Sequence, residues 1–216
     1  MTDCNKLIWK ICLSTLLFNL YSVSADASGF ALTAQGVKGL GNAYAGAAAS
    51  ADDASTVFYN PAGMTHLKDR EFIAGAQIVQ SSIRFNDSAS KISSAFPAPF
   101  GGVPLTGSDG DDGGGIGIIP NLYYTQELSG GYWFGLGINS PFGEATKYDD
   151  NWKGRYQAIE SKITSLNINP SIAYRVNDAL SVGGGANLQY LDAKLTQAVD
   201  FSAVCLATPL AASCTG

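Results

Sequence analysis

The feature that most constrains this chain is an alternation of apolar and polar residues, recurring in segments of about ten residues or more. Ile118, Pro120, Leu122, Tyr124 and Leu128 alternate with Asn121, Thr125 and Glu127. After Ser129-Gly130-Gly131 the apolar set resumes at Tyr132, Phe134, Leu136 and Ile138, with Gly135 and Gly137 between. Further on, Leu166, Ile168, Ile172, Tyr174 and Val176 alternate with Ser165, Asn167, Asn169, Ser171 and Arg175. Past Asn177-Asp178, Leu180, Val182, Ala186, Leu188 and Tyr190 alternate with Ser181, Gly183, Gly185, Asn187 and Gln189. A period of two sends successive side chains to opposite faces, so each segment is a strand with one apolar face. Tight turns between them make antiparallel hairpins.

A soluble sandwich also alternates, so the medium on the apolar side follows from other features. The segments have the length a tilted strand needs to cross a bilayer, about ten residues. Short turns rotate with long connections, and the opposite face carries Asn, Gln, Ser, Gly and Arg, as in outer-membrane barrels. Tyr123, Tyr124, Tyr132, Trp133, Tyr174 and Tyr190 fall near segment ends, where interfacial girdles are expected. The fold expected is all-β: a transmembrane antiparallel β-barrel.

Before these segments, Arg70 to Phe85 reads as a first strand. Its apolar residues change parity between Ile78 and Val79, which predicts a bulge there. Long loops are expected at about 87–116, 140–157 and 197–216. The first holds Asp109, Asp111 and Asp112, whose spacing lacks the Glu of an EF-hand, so a solvated acidic loop is expected and no metal site.

The N-terminus gives an address. Lys6 and Lys10 flank the start of an apolar run from Ile11 to Leu20, followed by the small residues Ser22 to Ala27, the layout of a secretory signal peptide cleaved after Ala27. The run is shorter than the roughly 20 apolar residues of a helical span. Of the four cysteines, Cys4 and Cys12 leave with residues 1–27. Cys205 and Cys214 then meet an oxidising compartment, where they can close a local disulfide or stand as free thiols; the disulfide is expected. With a net charge of -5 and 14% charged residues, the chain has no basic patch for nucleic acid.

From Ser28 to Tyr59 the chain is rich in Gly and Ala and has no strand rhythm, as compact filler inside a larger structure would be. Gly39-Leu40-Gly41 is not a dinucleotide loop, because Tyr44 stands at the third glycine position and no strand precedes it. Asp52 and Asp53 read as caps or turn formers. At Asn60-Pro61-Ala62-Gly63-Met64, Pro61 removes a donor and pushes Asn60 out of the helical region, so helix should stop there and strand can begin.

Taken in order, Ser28-Gly29-Phe30, Gly39-Leu40-Gly41-Asn42-Ala43-Tyr44-Ala45-Gly46, Ala51-Asp52-Asp53-Ala54 and Asn60-Pro61-Ala62 resemble the N-terminal half of the FadL/TodX family of outer-membrane hydrophobic-compound transporters. The resemblance runs from Ser28 to about Thr196. It implies a fourteen-stranded parent barrel, of which this chain holds about the first five strands, with residues 28–66 as a luminal hatch and 67–216 as the N-terminal part of the wall. It implies that Gly29 and Phe30 lie near the ligand path, that Asn60 and Pro61 join hatch to wall, and that Ser140, Pro141, Phe142 and Gly143 form a kink opening sideways to the bilayer. Pro141 and Gly143 also predict a local pairing failure on their own, although Pro141 could equally start a loop. Five strands cannot close a barrel, so an N-terminal fragment or truncated reading frame is expected.

The function so implied is passive transport of long-chain fatty acids or aromatic hydrocarbons across the bacterial outer membrane, without cofactor. The implied partners are hydrophobic small molecules, outer-membrane lipid and lipopolysaccharide, with the full-length parent a monomer. The alternatives are a structural or adhesive surface protein, or a non-functional fragment. A hydrolase has little support, because the only histidine, His66, sits beside the hinge Asn60-Pro61-Ala62-Gly63-Met64 with no serine nucleophile placed for it.

Overall fold

The computed structural model describes residues 29, 31–93 and 101–199; the signal segment 1–27, Phe30, Cys205 and Cys214 lie outside the described residues. Seven strands form one antiparallel sheet: β1 (Arg70–Gln80), β2 (Ile116–Glu127), β3 (Tyr132–Asn139), β4 (Gly143–Lys147), β5 (Glu160–Asn177), β6 (Leu180–Gly185) and β7 (Leu188–Thr196). They amount to five passes. β5 is long enough to pair with β3 and β4 in tandem on one edge and with β6 and β7 in tandem on the other. The break between β6 and β7 faces Pro170, which accepts from the Ala186 N–H at 3.1 Å but has no N–H to return. Among the described residues the sheet is open, with β1 at one edge and β6/β7 at the other.

The two faces are buried in the reverse of a water-soluble sheet. On β5, Ser165, Asn167, Asn169 and Ser171 are buried, while Leu166 is 45% and Ile172 55% exposed. The same bare face carries Phe72, Ile78, Ile116, Ile118, Val182, Leu188 and Tyr190, all exposed. Aliphatics are left bare only where hydrocarbon or another protein serves as their solvent.

What covers the polar face is the segment 31–66. Short helices at Ala47–Ser50 and Thr56–Tyr59 and 3-10 helices at Lys38–Asn42 and Pro61–His66 carry Ala54, Val57 and Met64 into a cluster with Tyr123, Trp133 and Ala173 of the sheet. The alternate glycines of β3 make this approach possible: a β-carbon on Gly135 would run into Met64 and Val57, and one on Gly183 of β6 into the backbone of Pro61-Ala62. These contacts anchor the segment to the sheet.

Several expectations need correction. β1 keeps one register with β2 from Arg70 to Gln80, without a bulge at Ile78-Val79, and ends before Ile83 and Phe85. The parity change read as a bulge is simply the end of the strand. Tyr123 (0% exposed) and Trp133 (3%) belong to the buried cluster and not to a girdle, whereas Tyr132 and Tyr174 meet on the bare face with their rings tilted by 33° and 4.6 Å between centroids. Residues 140–157 are not all loop, since β4 lies within them. Asn60 is extended and ends the helix as expected, but Pro61 then opens a 3-10 helix, where a missing N–H costs nothing. The first strand waits until Arg70.

Candidate functional site

The site is built around the interruption between β3 and β4. Asn139 pairs with Asn167 and Gly143 with Thr164, so the three residues Ser140, Pro141 and Phe142 oppose two, Ser165 and Leu166. This is a bulge, and its extra residue bends the strand away from its other neighbour. Continuing the β2–β3 register would set Pro141 against Ile119, where it could donate nothing. β2 therefore pairs with β3 only over Asn121–Glu127, and its first half, Ile116–Pro120, has β1 alone as a partner.

The result is a gap in the sheet between Ile116–Pro120 of β2 and Gly143–Lys147 of β4. Asn121 opposite Asn139 closes one end. The Lys147 N–H, donating to the Gly113 carbonyl at 2.9 Å, closes the other. A cleft of about 470 Å³ occupies the gap, with Leu32, Ile116, Ile118, Ile119 and Ile163 in its mostly apolar lining and Glu144 and Lys162 at its rim. The bulge itself is well held: the Phe142 N–H donates to Ser165 Oγ at 2.9 Å, and that hydroxyl donates to the Phe142 carbonyl at 2.6 Å.

On the covered side, the N-terminal segment docks onto the bulge. Ala31 bridges Phe142, and the Leu32 N–H donates to the Pro141 carbonyl at 2.8 Å. Gln35 is fully buried; its Nε2 donates to the carbonyls of Ser140 at 2.8 Å and Leu32 at 3.0 Å, and its Oε1 has no partner. The next carbonyl, Gly36, accepts from Gln77 Nε2, and Gln77 Oε1 accepts from Asn121 Nδ2, both at 2.9 Å. A second chain of neutral groups crosses the polar face below, Tyr123 to Asn139 to Asn167 to Asn187 to Asn169. Neutral amides and hydroxyls make these contacts on the covered side; such a surface neither attracts nor repels an uncharged molecule by long-range force.

At the far end of the gap, the two long connections are clasped together. Lys153 Nζ lies 2.8 Å from Asp87 and 3.1 Å from Asp109. Asp112 accepts from the N–H groups of Ile83 and Gly114 at 2.7 and 2.9 Å. Tyr148 stacks on Trp152 with centroids 4.1 Å apart, and Phe85 meets the same indole edge-on. Hydrogen bonds from Lys153 and Ser90 hold the Asp87 carboxyl well below its ordinary range, and those from Ser82, Gly114 and Ile83 do the same for Asp112. The loop is acidic but tied down, and among the described residues no acidic cluster could hold a metal ion.

The residues 18–215 match the family described as outer membrane protein transport protein (OMPP1/FadL/TodX). The chain belongs to this family. It is 33% identical over 173 residues to Outer membrane protein P1 of Haemophilus influenzae, covering 79% of this chain and 38% of that one. It is 32% identical over 176 residues to the Long-chain fatty acid transport protein of Escherichia coli (strain K12), covering 82% and 36%. In three dimensions it resembles the crystal structure of a Pseudomonas aeruginosa FadL homologue, with a TM-score of 0.75 at 27% identity over 84% of this chain and 42% of that one. The chain thus spans about two fifths of the length of these relatives. OMPP1/FadL/TodX proteins reside in the outer membrane and are transport proteins rather than enzymes, which accounts for a bare aliphatic face. Among the described residues no helix is long and apolar enough to cross a membrane.

Of the residues singled out from sequence, Ser140, Pro141, Phe142 and Gly143 meet at the gap, and the N-terminal segment comes to them through Ala31, Leu32 and Gln35. Gly29 is exposed with open space around it. Asn60 and Pro61 lie elsewhere: the Asn60 side chain donates to the Ala48 carbonyl at 2.9 Å, and Pro61-Ala62 packs on Gly183. The contributions of Gln35, Ser165 and the Gln77–Asn121 pair were missed. Gln35 carried a faint signal, as a long polar side chain in a tract of small residues.

Proposed function

We propose that this chain supplies the hatch and first wall strands of an outer-membrane barrel that passively admits hydrophobic compounds, long-chain fatty acids or aromatic hydrocarbons, and releases them sideways through the gap between β2 and β4. In this reading 31–66 is the hatch, the covered face is the lumen and the bare face meets lipid. The observation that carries it is an apolar cleft in the sheet beside the bulge Ser140–Phe142, where β2 and β4 are unpaired. A hydrophobic molecule taking that route reaches hydrocarbon without exposing its chain to water, an exposure that would cost about 0.8 kcal/mol per CH₂. The names of the relatives support the substrate class.

The test is uptake of a labelled long-chain fatty acid by cells expressing the full-length protein with Pro141→Thr, which restores the missing donor, and Gly143→Val, which raises β propensity. Uptake should fall at least tenfold while the amount of folded protein in the outer membrane is unchanged. Wild-type uptake by this variant refutes lateral exit.

A further inference from the structure

Above the aliphatic band, the bare face carries charges on three adjacent passes. The registers set Lys162 directly opposite Lys194, and Glu160 opposite Lys147 on one side and Thr196 on the other. All share the face of the exposed Leu166, Ile168, Leu188 and Tyr190. Lys194 is paired with Glu160 at 2.8 Å. Lys147 and Lys162 form no ion pair among the described residues, and Asp192, opposite Thr164, is the remaining charge on this part of the face. Like charges directly opposite one another on a sheet are destabilising; Glu160 offsets part of this, but the three lysines outnumber the two carboxylates, Glu160 and Asp192, on this part of the face.

Height identifies the anion. The aliphatic run Leu166 to Val176 on β5 covers ten residue steps, about 33 Å along a strand and about 25 Å in height at a tilt near 40°, the thickness of the apolar band of an outer-membrane barrel. Lys162 stands four steps further, about 10 Å above the band. That end of the sheet bears the long connections 81–115 and 148–159, the extracellular side of such proteins. The groups at that level in the outer leaflet are the phosphates of a glycolipid.

We propose that Lys147, Lys162 and Lys194 form a docking site for a phosphate of lipopolysaccharide, beside the rim of the β2–β4 gap. The site rests on the membrane orientation adopted above but not on transport through the gap. Each lysine near a charged surface contributes about fivefold in affinity, so removal of the two unpaired ones should weaken binding about twenty-fivefold.

The full-length protein in nanodiscs would be titrated with bisphosphorylated lipid A, dephosphorylated lipid A and phosphatidylglycerol, with bound lipid counted by native mass spectrometry. Wild type should prefer the bisphosphorylated form. Lys147→Gln with Lys162→Gln should lose that preference, and Lys68→Gln at the opposite end should keep it; heat-modifiable migration on gels confirms that each variant is folded. Equal binding by wild type and the double variant would overturn the proposal, as would equal affinity for phosphatidylglycerol or for dephosphorylated lipid A. Because lipid counting reads no uptake, a failed exit mechanism and a failed docking site give different results.

Discussion

At the scale of single residues, the positions that matter most are those where a side chain is missing. Gly135 and Gly137 alternate with the outward Phe134, Leu136 and Ile138, and their empty places are filled by Met64 and Val57. Gly135→Val should therefore separate the N-terminal segment from the wall, at a cost of about 1–3 kcal/mol for overpacking; a lower unfolding temperature of the full-length protein, with protease access to residues 31–66, would show it. The sequence displayed these glycines, yet their purpose was hidden because their partners lie some seventy residues away. Tyr123 and Trp133 were misplaced for a related reason. An aromatic near a strand end reads as interfacial unless its parity is checked, and both have the parity of Asn121 and Gly135, the covered face.

At the scale of elements, the long strands were legible because an apolar face and a polar face must alternate when they meet different media. β4 was not: Gly143-Glu144-Ala145-Thr146-Lys147 is short, has no aliphatic rhythm and follows a proline. It is a strand because β5 continues past the bulge and offers it a ladder. The hinge was half legible, its stop signal correct and its restart delayed by a 3-10 helix. Asn60→Ala removes the bond to Ala48 far from the gap, so it should change the rate of uptake, measured across chain lengths, while leaving the order of preference intact. The clasped loops make a separate prediction. A carboxyl held below its ordinary value of 3.8 stabilises the clasp fully above that pH and loses its contribution as pH falls below it. Lys153, raised above 10.5 by the same contacts, loses its share only as pH rises past that value. Amide exchange in 82–93 and 101–114, corrected for intrinsic rates, should quicken below about pH 4, whereas that in β5 should not.

At the scale of the molecule, the sheet is sided by solvent rather than by a core. Its polar face is buried and its aliphatic face bare, and this inversion is what the alternating sequence already implied. What sequence could not supply was the third dimension of the gap: that β2 loses a neighbour over five residues because β3 bulges, and that Ala31 to Gln35 come back to fill the inner side. The bulge has one more consequence. Since three residues oppose two, the strand changes sidedness as it passes: even-numbered residues face outward in β3, odd-numbered ones in β4. Glu144 is thereby turned inward and Lys147 outward. A protein lacking any one of Ser140, Pro141 or Phe142 would set two residues against Ser165 and Leu166, losing the bulge while keeping Glu144 inward and Lys147 outward. Such a single-residue deletion should leave assembly in the outer membrane at the wild-type level, as quantitative immunoblotting of outer-membrane fractions would show, because the two faces of the sheet are unchanged. The extra residue thus interrupts the ladder without altering which side chains β4 shows to either face.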